Sequence, residues 1–201
     1  MKITVLDSNT KVTETMLQAI GICRGKECTL TTLENALEAK PVPHMSVLEF
    51  GWICLMVEGV SVKTRIQLER HRLYSSIERS TRSLDMSHEE IVIPKTVKNR
   101  DLFFWSLKRS IAGYMDALER GESLEDASYL LPLGITTKFL LSGNLRTWFE
   151  YFGKRLCRKH VQDEHYRMAL NMWHEITELF PIMRKAHPCK ECGDCAVSRE
   201  F

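Results

Sequence analysis

Residues 67–82 read QLERHRLYSSIERSTR, and this stretch contains four arginines, one histidine and four serine or threonine hydroxyls within 16 positions. If the part after Tyr74 is extended, side chains alternate, and Ser76, Glu78, Ser80 and Arg82 lie on one face. Neither face of such a strand is apolar. We therefore expect these residues to face a ligand or a subunit interface. The alternative is a solvated edge strand whose arginines pair with Glu78.

Three basic residues, Arg70, His71 and Arg72, are consecutive just upstream. At the end of a helix they would spread over roughly 200°, so they cannot all contact one small group. Guanidinium groups bind phosphate oxygens through paired hydrogen bonds. This spacing favours a long, bent anion such as a dinucleotide.

The composition predicts one soluble domain. The chain has 201 residues, 44% of them hydrophobic, which is enough for a substantial core. Its formal charge of +2 argues against a binder of nucleic acid polymers. The N-terminus lacks the pattern of a signal or transit peptide, and the longest apolar stretch, FGWICLMVEGV, is too short to cross a membrane. We expect a cytoplasmic protein with a domain over residues 1–180 and a cysteine-rich tail over 181–201.

Strand-like and helix-like segments are both present without strict alternation, so we predict a mixed α/β (α+β) fold. Helix starts are expected at Asn9 or Thr10, at a capping box formed by Thr31 and Glu34, at Ser61 and at Asn144. A long helix over 101–120 should stop at Gly121. Strands are predicted in KITVL (2–6), SVLEFGWICLMVEG (46–59), IVIP (91–94) and ITTKFLLS (135–142).

A second group of candidate ligand-binding residues lies on the helix that begins at Asn144. Asn144, Tyr151 and Arg155 stand at i, i+7 and i+11, which places them near a single face. A guanidinium, an aromatic ring and an amide on one face suit a planar heterocycle. The alternative is a surface arginine on an amphipathic helix.

Several separated segments of the chain resemble flavin-dependent thymidylate synthases. RHRLYSSIERSTR (70–82) is similar to the family signature RHRxxSxxExSxR, with Gln67 three positions before it. Further segments with family counterparts are VLEFGWICLMVEGVSVKTRIQ (47–67), ASYLLPLGITTKFLLSGNLRTWFEYFGKRL (127–156) and HVQDEHYRMA (160–169). The resemblance covers about residues 45–172, and the motifs occur in the family's order.

This resemblance implies a mixed, largely antiparallel sheet with flanking helices, and a homotetramer that holds FAD and dUMP between subunits. It also implies that NADPH reduces the flavin and that methylenetetrahydrofolate donates a one-carbon unit to C5 of the uracil. Arg155 would polarise the pyrimidine ring as the catalytic residue. The residues implied for FAD are Arg70, His71, Arg72, Glu78, Asn144, Arg146 and Glu150, and those implied for the nucleotide are Gln67, Glu78, Ser80, Thr81, Arg82 and Arg155.

The chain departs from the family pattern at several positions. Ser128 replaces an arginine that reaches the nucleotide phosphate, and Glu150 replaces a flavin-side asparagine; Phe50, Ile77 and Ser83 stand where the family has histidine, asparagine and tyrosine. These departures leave two alternatives to dTMP synthesis. One is a related flavin- and folate-dependent enzyme that hydroxymethylates a pyrimidine nucleotide or methylates dCMP. The other is a catalytically silent relative that binds a nucleotide or a partner.

The C-terminal segment HPCKECGDC contains His187, Cys189, Cys192 and Cys195, which are the ligand types of a structural zinc site. A ferredoxin-like cluster run would place a fourth cysteine at Arg199. A tail with reduced thiols explains the same residues without metal. The sequence therefore leaves a zinc ion in the tail as one of two interpretations.

Overall fold

The fold mixes helices with one four-stranded sheet. The computed structural model describes residues 1–39, 42–186 and 188. Within this part of the chain, the strands are β1 (Lys2–Ser8), β2 (Trp52–Ser61), β3 (Ser75–Glu78) and β4 (Thr136–Asn144). They are antiparallel and follow the order β1-β2-β4-β3. The predicted fold class, a mixed fold with a largely antiparallel sheet and flanking helices, is therefore confirmed.

Seven α-helices and three 3-10 helices complete the described elements. The α-helices are α1 (Val12–Arg24), α2 (Leu30–Glu38), α3 (Val62–Leu68), α4 (Arg100–Glu119), α5 (Leu124–Ala127), α6 (Leu145–Arg155) and α7 (Asp163–Leu179). The 3-10 helices are Met45–Phe50, Ser128–Leu130 and Pro181–Lys185. Among the helices of the described residues, none is both long and apolar enough for a membrane span.

Contacts divide the chain into two compact units. Unit 1 comprises Met1–Lys2, Val57–Arg72 and Ser76–Leu140, and unit 2 comprises Ile3–Met56, Leu73–Ser75 and the described residues from Leu141 onward. The prediction of one domain over 1–180 followed by a tail stays a prediction. The first residues of that expected tail, Pro181–Lys185, form a 3-10 helix in which Ile182 and Met183 are buried.

Unit 1 has local helix starts that match the sequence and one strand that does not. Ser61 Oγ accepts from the backbone N–H of Thr64 at 3.1 Å, which caps α3 as predicted. Gly121 follows α4 with a φ of 90°, the left-handed conformation that suits a helix stop. The predicted strand IVIP is wrong. Ile91 forms only an isolated antiparallel bridge with Ile135, and the flanking residues are not extended into a ladder.

Unit 2 has two helix starts that the sequence placed incorrectly. Lys11, rather than Asn9 or Thr10, occupies the N-cap of α1. Asn9 instead donates from Nδ2 to Phe50 O at 2.7 Å and accepts from Trp52 N at 2.8 Å. Helix α2 is capped by Thr29, so the capping box of Thr31 and Glu34 is also wrong. Asn9 serves a contact more than 40 residues away, which no local pattern can reveal.

The predicted strand over 46–59 is extended only in its second part. Met45–Phe50 is a 3-10 helix, and β2 begins at Trp52. Between them, a Cβ at Gly51 would lie 2.5 Å from Leu145 Cδ1, and the backbone N–H of Leu145 donates to Gly51 O at 2.8 Å. A side chain at position 51 would displace the Leu145 side chain, and the backbone hydrogen bond ties this segment to the first residue of α6.

Candidate functional site

The candidate residues in unit 1 begin where α3 ends. The helix stops at Leu68, and the backbone N–H of His71 donates to Leu68 O at 2.9 Å. Because the chain has left the helix by Arg70, the three basic side chains do not follow the expected helical spacing. Arg70 and Arg72 are exposed, and neither forms an ion pair with any residue in the described ranges. These two guanidinium groups are therefore available to an anion.

The predicted alternation of side chains holds only for the first part of the signature segment. Strand β3 ends at Glu78, and Ser76 and Glu78 share a face that contacts α3. Beyond it the chain turns. Ser80 Oγ accepts from the backbone N–H of Arg82 at 3.3 Å and from Ser83 Oγ at 2.8 Å. The expectation that Ser80 and Arg82 continue the same face is wrong, because their local hydrogen bonds stabilise a turn.

Glu78 is the half-buried carboxylate of this group. Thr137 Oγ1 donates to Glu78 Oε1 at 2.9 Å, and Arg65 Nε lies 3.4 Å from Glu78 Oε2. Burial raises the pKa of Glu78 above its ordinary value, while the Thr137 hydrogen bond and the Arg65 charge act in the opposite direction. The carboxylate is thus held in place on both oxygens at the margin of the core.

Arg82, expected at the nucleotide, has a carboxylate partner in the ligand-free protein. Its Nη1 lies 3.2 Å from Glu125 Oε1 on α5, and both side chains are well exposed. Ser128, which stands at the position of a family arginine, donates from Oγ to Glu125 O at 2.6 Å. An exposed ion pair contributes only about 0–1 kcal/mol, so a ligand phosphate can displace Glu125 from Arg82. Thr81 is half-buried in the same turn.

In unit 2, the start of α6 uses Asn144 as its cap. Asn144 Oδ1 accepts from the backbone N–H of Thr147 at 2.9 Å and from Thr147 Oγ1 at 3.0 Å. Thr147 Oγ1 also lies 2.9 Å from Leu73 O. The predicted helix start is confirmed. The amide oxygen of Asn144 is occupied by the helix, which leaves its Nδ2 as the atom that can donate to a ligand.

Arg146, expected to assist the flavin, is held between two carboxylates. Its Nη1 lies 2.6 Å from Glu49 Oε1, and its Nε lies 3.2 Å from Glu150 Oε1 one turn along α6. The hydrogen bond with Glu49, and then the one with Glu150, raise the pKa of Arg146. Glu150 therefore orients Arg146 along α6. Glu49 and Glu150 together carry more negative charge than Arg146 neutralises, so this group of three side chains has a net negative charge.

Arg155 and Tyr151 lie one turn apart on α6, as helical spacing predicts. Tyr151 is fully buried, its hydroxyl lies 3.1 Å from His165 Nε2, and its ring packs edge-on against Phe152 and Trp148. Burial raises the pKa of Tyr151 above its ordinary value, and the charge of half-buried Arg155 opposes this rise. The idea that Tyr151 offers its ring to a planar ligand is wrong, because that ring belongs to the core.

Sequence reasoning missed two residues of these groups. One is His165 on α7, whose ring nitrogen Nε2 is the polar partner of the Tyr151 hydroxyl. The other is Arg65, a buried guanidinium beside Glu78. Arg65 lies between a threonine and an isoleucine in the short helix VKTRIQL, and this local pattern carries no signal that Arg65 is buried. No sequence signal linked His165 to Tyr151, since the two residues are 14 positions apart on different helices.

The predicted metal ligands His187, Cys189, Cys192 and Cys195 lie outside the described residues. Within the described ranges, no cluster of histidine, cysteine, aspartate or glutamate side chains could hold a metal ion. The four cysteines that the structure describes, Cys23, Cys28, Cys54 and Cys157, are free thiols. A zinc site in the tail stays a prediction.

Comparisons with known proteins agree on one family. The family model described as thymidylate synthase complementing protein matches residues 4–182. A protein from Pyrococcus abyssi, named flavin-dependent thymidylate synthase, is 34% identical over 166 residues, which cover 76% of this chain and 68% of the relative. Proteins of the same name from Thermococcus kodakarensis and Pyrococcus horikoshii are 35% and 36% identical over 166 residues, covering 76% of this chain and 67% and 68% of their own lengths.

Proposed function

The chain belongs to the thymidylate synthase complementing protein family, and we propose that it is a flavin-dependent thymidylate synthase. The enzyme transfers a one-carbon unit from methylenetetrahydrofolate to C5 of dUMP and yields dTMP. The observation that carries this proposal is the pair of exposed guanidinium groups, Arg70 and Arg72, directly after α3. Two cations that stand two positions apart, without carboxylate partners in the described chain, are suited to an anionic cofactor.

The residues present fit the flavin. Arg70 and Arg72 would hold its phosphates, and His71 would complete this contact. Asn144 would donate from Nδ2, since its oxygen already caps α6. Arg146 and Glu150 would also lie at the cofactor, with Glu150 fixing the guanidinium of Arg146. When bound and reduced by NADPH, the flavin supplies the hydride that converts the transferred carbon to a methyl group.

The nucleotide is assigned to the signature segment of unit 1. Gln67 and Thr81 would contact the nucleotide directly. Arg82 would leave its ion pair with Glu125 and bind the nucleotide phosphate instead. Glu78 would accept hydrogen bonds as a carboxylate already fixed by Thr137. Ser80 would line the same turn, since its hydroxyl is bonded to Ser83 and to the backbone of Arg82.

Arg155 is proposed as the catalytic residue. A guanidinium near the uracil ring stabilises the negative charge that develops there as C5 becomes nucleophilic. Arg155 lies one turn from Tyr151, whose ring packs in the core against Trp148 and Phe152. These contacts hold the α6 backbone in a fixed position next to Arg155. Such a rigid support is needed because electrostatic stabilisation depends on preorganised donors.

We further propose that the protein is a homotetramer in the cytoplasm. Residues Leu102, Phe103, Phe104 and Trp105 are consecutive on α4 and all exposed, with Trp105 at 66% exposure. Four consecutive helical residues cover the whole circumference, so this end of α4 presents apolar surface on every side. A contiguous exposed apolar surface of this kind is typical of an association site. Sedimentation should give the mass of four chains of 23.3 kDa, and a protein that turns over as a monomer would contradict the proposal.

Tritium release from C5-labelled substrates tests the function. The purified protein, loaded with FAD and supplied with methylenetetrahydrofolate and NADPH, should release tritium from dUMP and form dTMP. Release from dCMP alone would assign a different base, and a hydroxymethyl product would assign a different reduction step. No release from either substrate by the flavin-loaded protein would contradict the proposed function.

A further inference from the structure

Unit 1 contains a buried charge that the proposed reaction does not explain. Arg65, on α3, is only 4% exposed. Burying a guanidinium costs several kcal/mol unless its charge and its N–H groups find partners. A position that served packing alone could be filled by an apolar side chain of similar volume at no loss. The contacts of Arg65 therefore need an explanation.

Those contacts converge on β3. Arg65 Nη2 donates to Ser76 Oγ at 3.0 Å, and Arg65 Nε lies 3.4 Å from Glu78 Oε2. Ser76 and Glu78 are two residues apart, so they share one face of the strand. The guanidinium carbon also lies 5.1 Å from the centre of the Phe139 ring on β4. Arg65 thus joins α3 to both neighbouring strands at the carboxylate of Glu78.

The charge of Arg65 is shared with a second carboxylate. Its Nη1 lies 3.3 Å from Glu69 Oε1, four residues along the chain. The contacts with Glu69 and Glu78 are within ion-pair distance, but Nε and Nη1 form no hydrogen bond of good geometry with any described residue. The attraction is therefore mainly electrostatic. Glu69 is 56% exposed, whereas Glu78 is 28% exposed, so the less screened of the two pairs is the one with Glu78.

Glu78 also lines a surface pocket of about 340 Å³, together with Ile77, Arg79, Lys138, Phe139 and Leu140. Arg65 does not line the pocket, but it contacts two of the residues that do. The other charged lining groups have their own partners, since Arg79 pairs with Glu89 and Lys138 with Glu58. Arg65 and Glu69 are therefore the charges that act most directly on Glu78.

We propose that Arg65 is a positioning residue, which holds the Glu78 carboxylate in place as an oriented acceptor for the nucleotide. This inference rests on the proposed function, because the proposed function assigns Glu78 to the nucleotide. Arg65 itself contacts no ligand. It acts through Glu78, fixing one carboxylate oxygen while Thr137 fixes the other.

The first test needs no nucleotide. The infrared difference spectrum between the protein and its Glu78→Gln variant isolates the carboxyl band of Glu78, which is titrated against pH. Arg65→Met should raise the titration midpoint, because it removes the nearest positive charge. Glu69→Gln is the matched control: it removes the other partner of Arg65, and since Glu69 raises the pKa of Glu78, it should lower the midpoint. An unchanged midpoint in Arg65→Met overturns the proposal.

The second test measures dUMP affinity by calorimetry on the flavin-loaded protein at pH 6. Arg65→Met should weaken dUMP binding by about tenfold, because a Glu78 carboxylate that is no longer oriented loses one charge-assisted hydrogen bond to the nucleotide. Glu69→Gln should bind as the wild type does. In a Glu78→Gln background, Arg65→Met should have less than about a twofold further effect, since coupled residues are not additive. A full additional loss in that background would mean that Arg65 acts only through the fold, and would overturn the proposal.

A variant that retains the cation covers the case in which Arg65→Met does not fold. Arg65→Lys keeps the charge, but one ammonium cannot reach Ser76 and both carboxylates together. Its Glu78 midpoint should lie above that of the wild type, and a midpoint equal to the wild type would count against the proposal. If the midpoints shift as expected but the wild type does not bind dUMP, the proposed function and the nucleotide role of Glu78 fail. Unchanged midpoints with normal dUMP binding refute the role of Arg65 alone.

Discussion

Replacing Arg70 and Arg72 by alanine should release flavin while the fold stays intact. Both side chains are exposed, and neither pairs with a carboxylate in the part of the chain that the structure describes. Surface substitutions of this kind change the free energy of unfolding by no more than about 0.5 kcal/mol. The cofactor, in contrast, loses its charged partners.

The expected loss of flavin affinity follows from the strength of one charge-assisted hydrogen bond. Such a bond contributes about 1.5–3 kcal/mol. The full contribution applies here, because no carboxylate has to be displaced from Arg70 or Arg72 before the cofactor binds. Each single variant should therefore raise the Kd for FAD by about 10-fold to 150-fold. The double variant should lose more than either single variant, although neighbouring residues need not be additive.

The assay compares the 450 nm absorbance of purified protein after gel filtration and then titrates the apoprotein with FAD. Arg24→Ala is the matched control, since Arg24 is an exposed arginine at the end of α1 for which the described residues provide no ion pair. Thermal unfolding of the apoproteins checks the fold. If both single variants and the double variant retain FAD within about twofold of the control, the assignment of Arg70 and Arg72 to the cofactor is refuted.

Three further outcomes are expected. Arg155→Ala should abolish tritium release from dUMP while FAD stays bound. Arg155→Lys should restore little of the rate, because one ammonium cannot replace the planar guanidinium. An alanine variant that releases tritium at the wild-type rate would contradict this role. Tyr114→Phe should lower the free energy of unfolding in urea by about 1–3 kcal/mol, because the buried N–H of Met86 loses its acceptor at 3.2 Å, and an unchanged urea midpoint would refute the contact. Hydrogen bonds from the Ser87 hydroxyl and N–H lower the pKa of Asp85, so its stabilising contribution is present above about pH 4 and is lost as the pH falls through the lowered pKa. Urea unfolding at several pH values should show a weaker acid dependence in Asp85→Asn, and an identical pH dependence would contradict this assignment.

Features that depend on neighbouring residues were predictable from the sequence. Ser61 and Asn144 cap their helices because each accepts from an N–H three residues ahead, a bond that the local backbone alone determines. Gly121 stops α4 for an equally local reason. The placement of Tyr151 and Arg155 on one face follows from the helical repeat. The family motifs added the expected chemistry, and the comparisons confirm the family.

Features that depend on distant partners required the tertiary structure. Asn9 has the residue type of a helix cap, but its two bonds run to Phe50 and Trp52. The engagement of Arg146 by Glu49 spans 97 residues. In the sequence, Arg65 resembles any surface arginine. It is buried only because α3, β3 and β4 pack together, which brings it to Glu78 and Phe139. A sequence specifies which polar groups a chain carries, whereas burial decides which of them must pair, because an unpaired polar group is costly only where water cannot reach it.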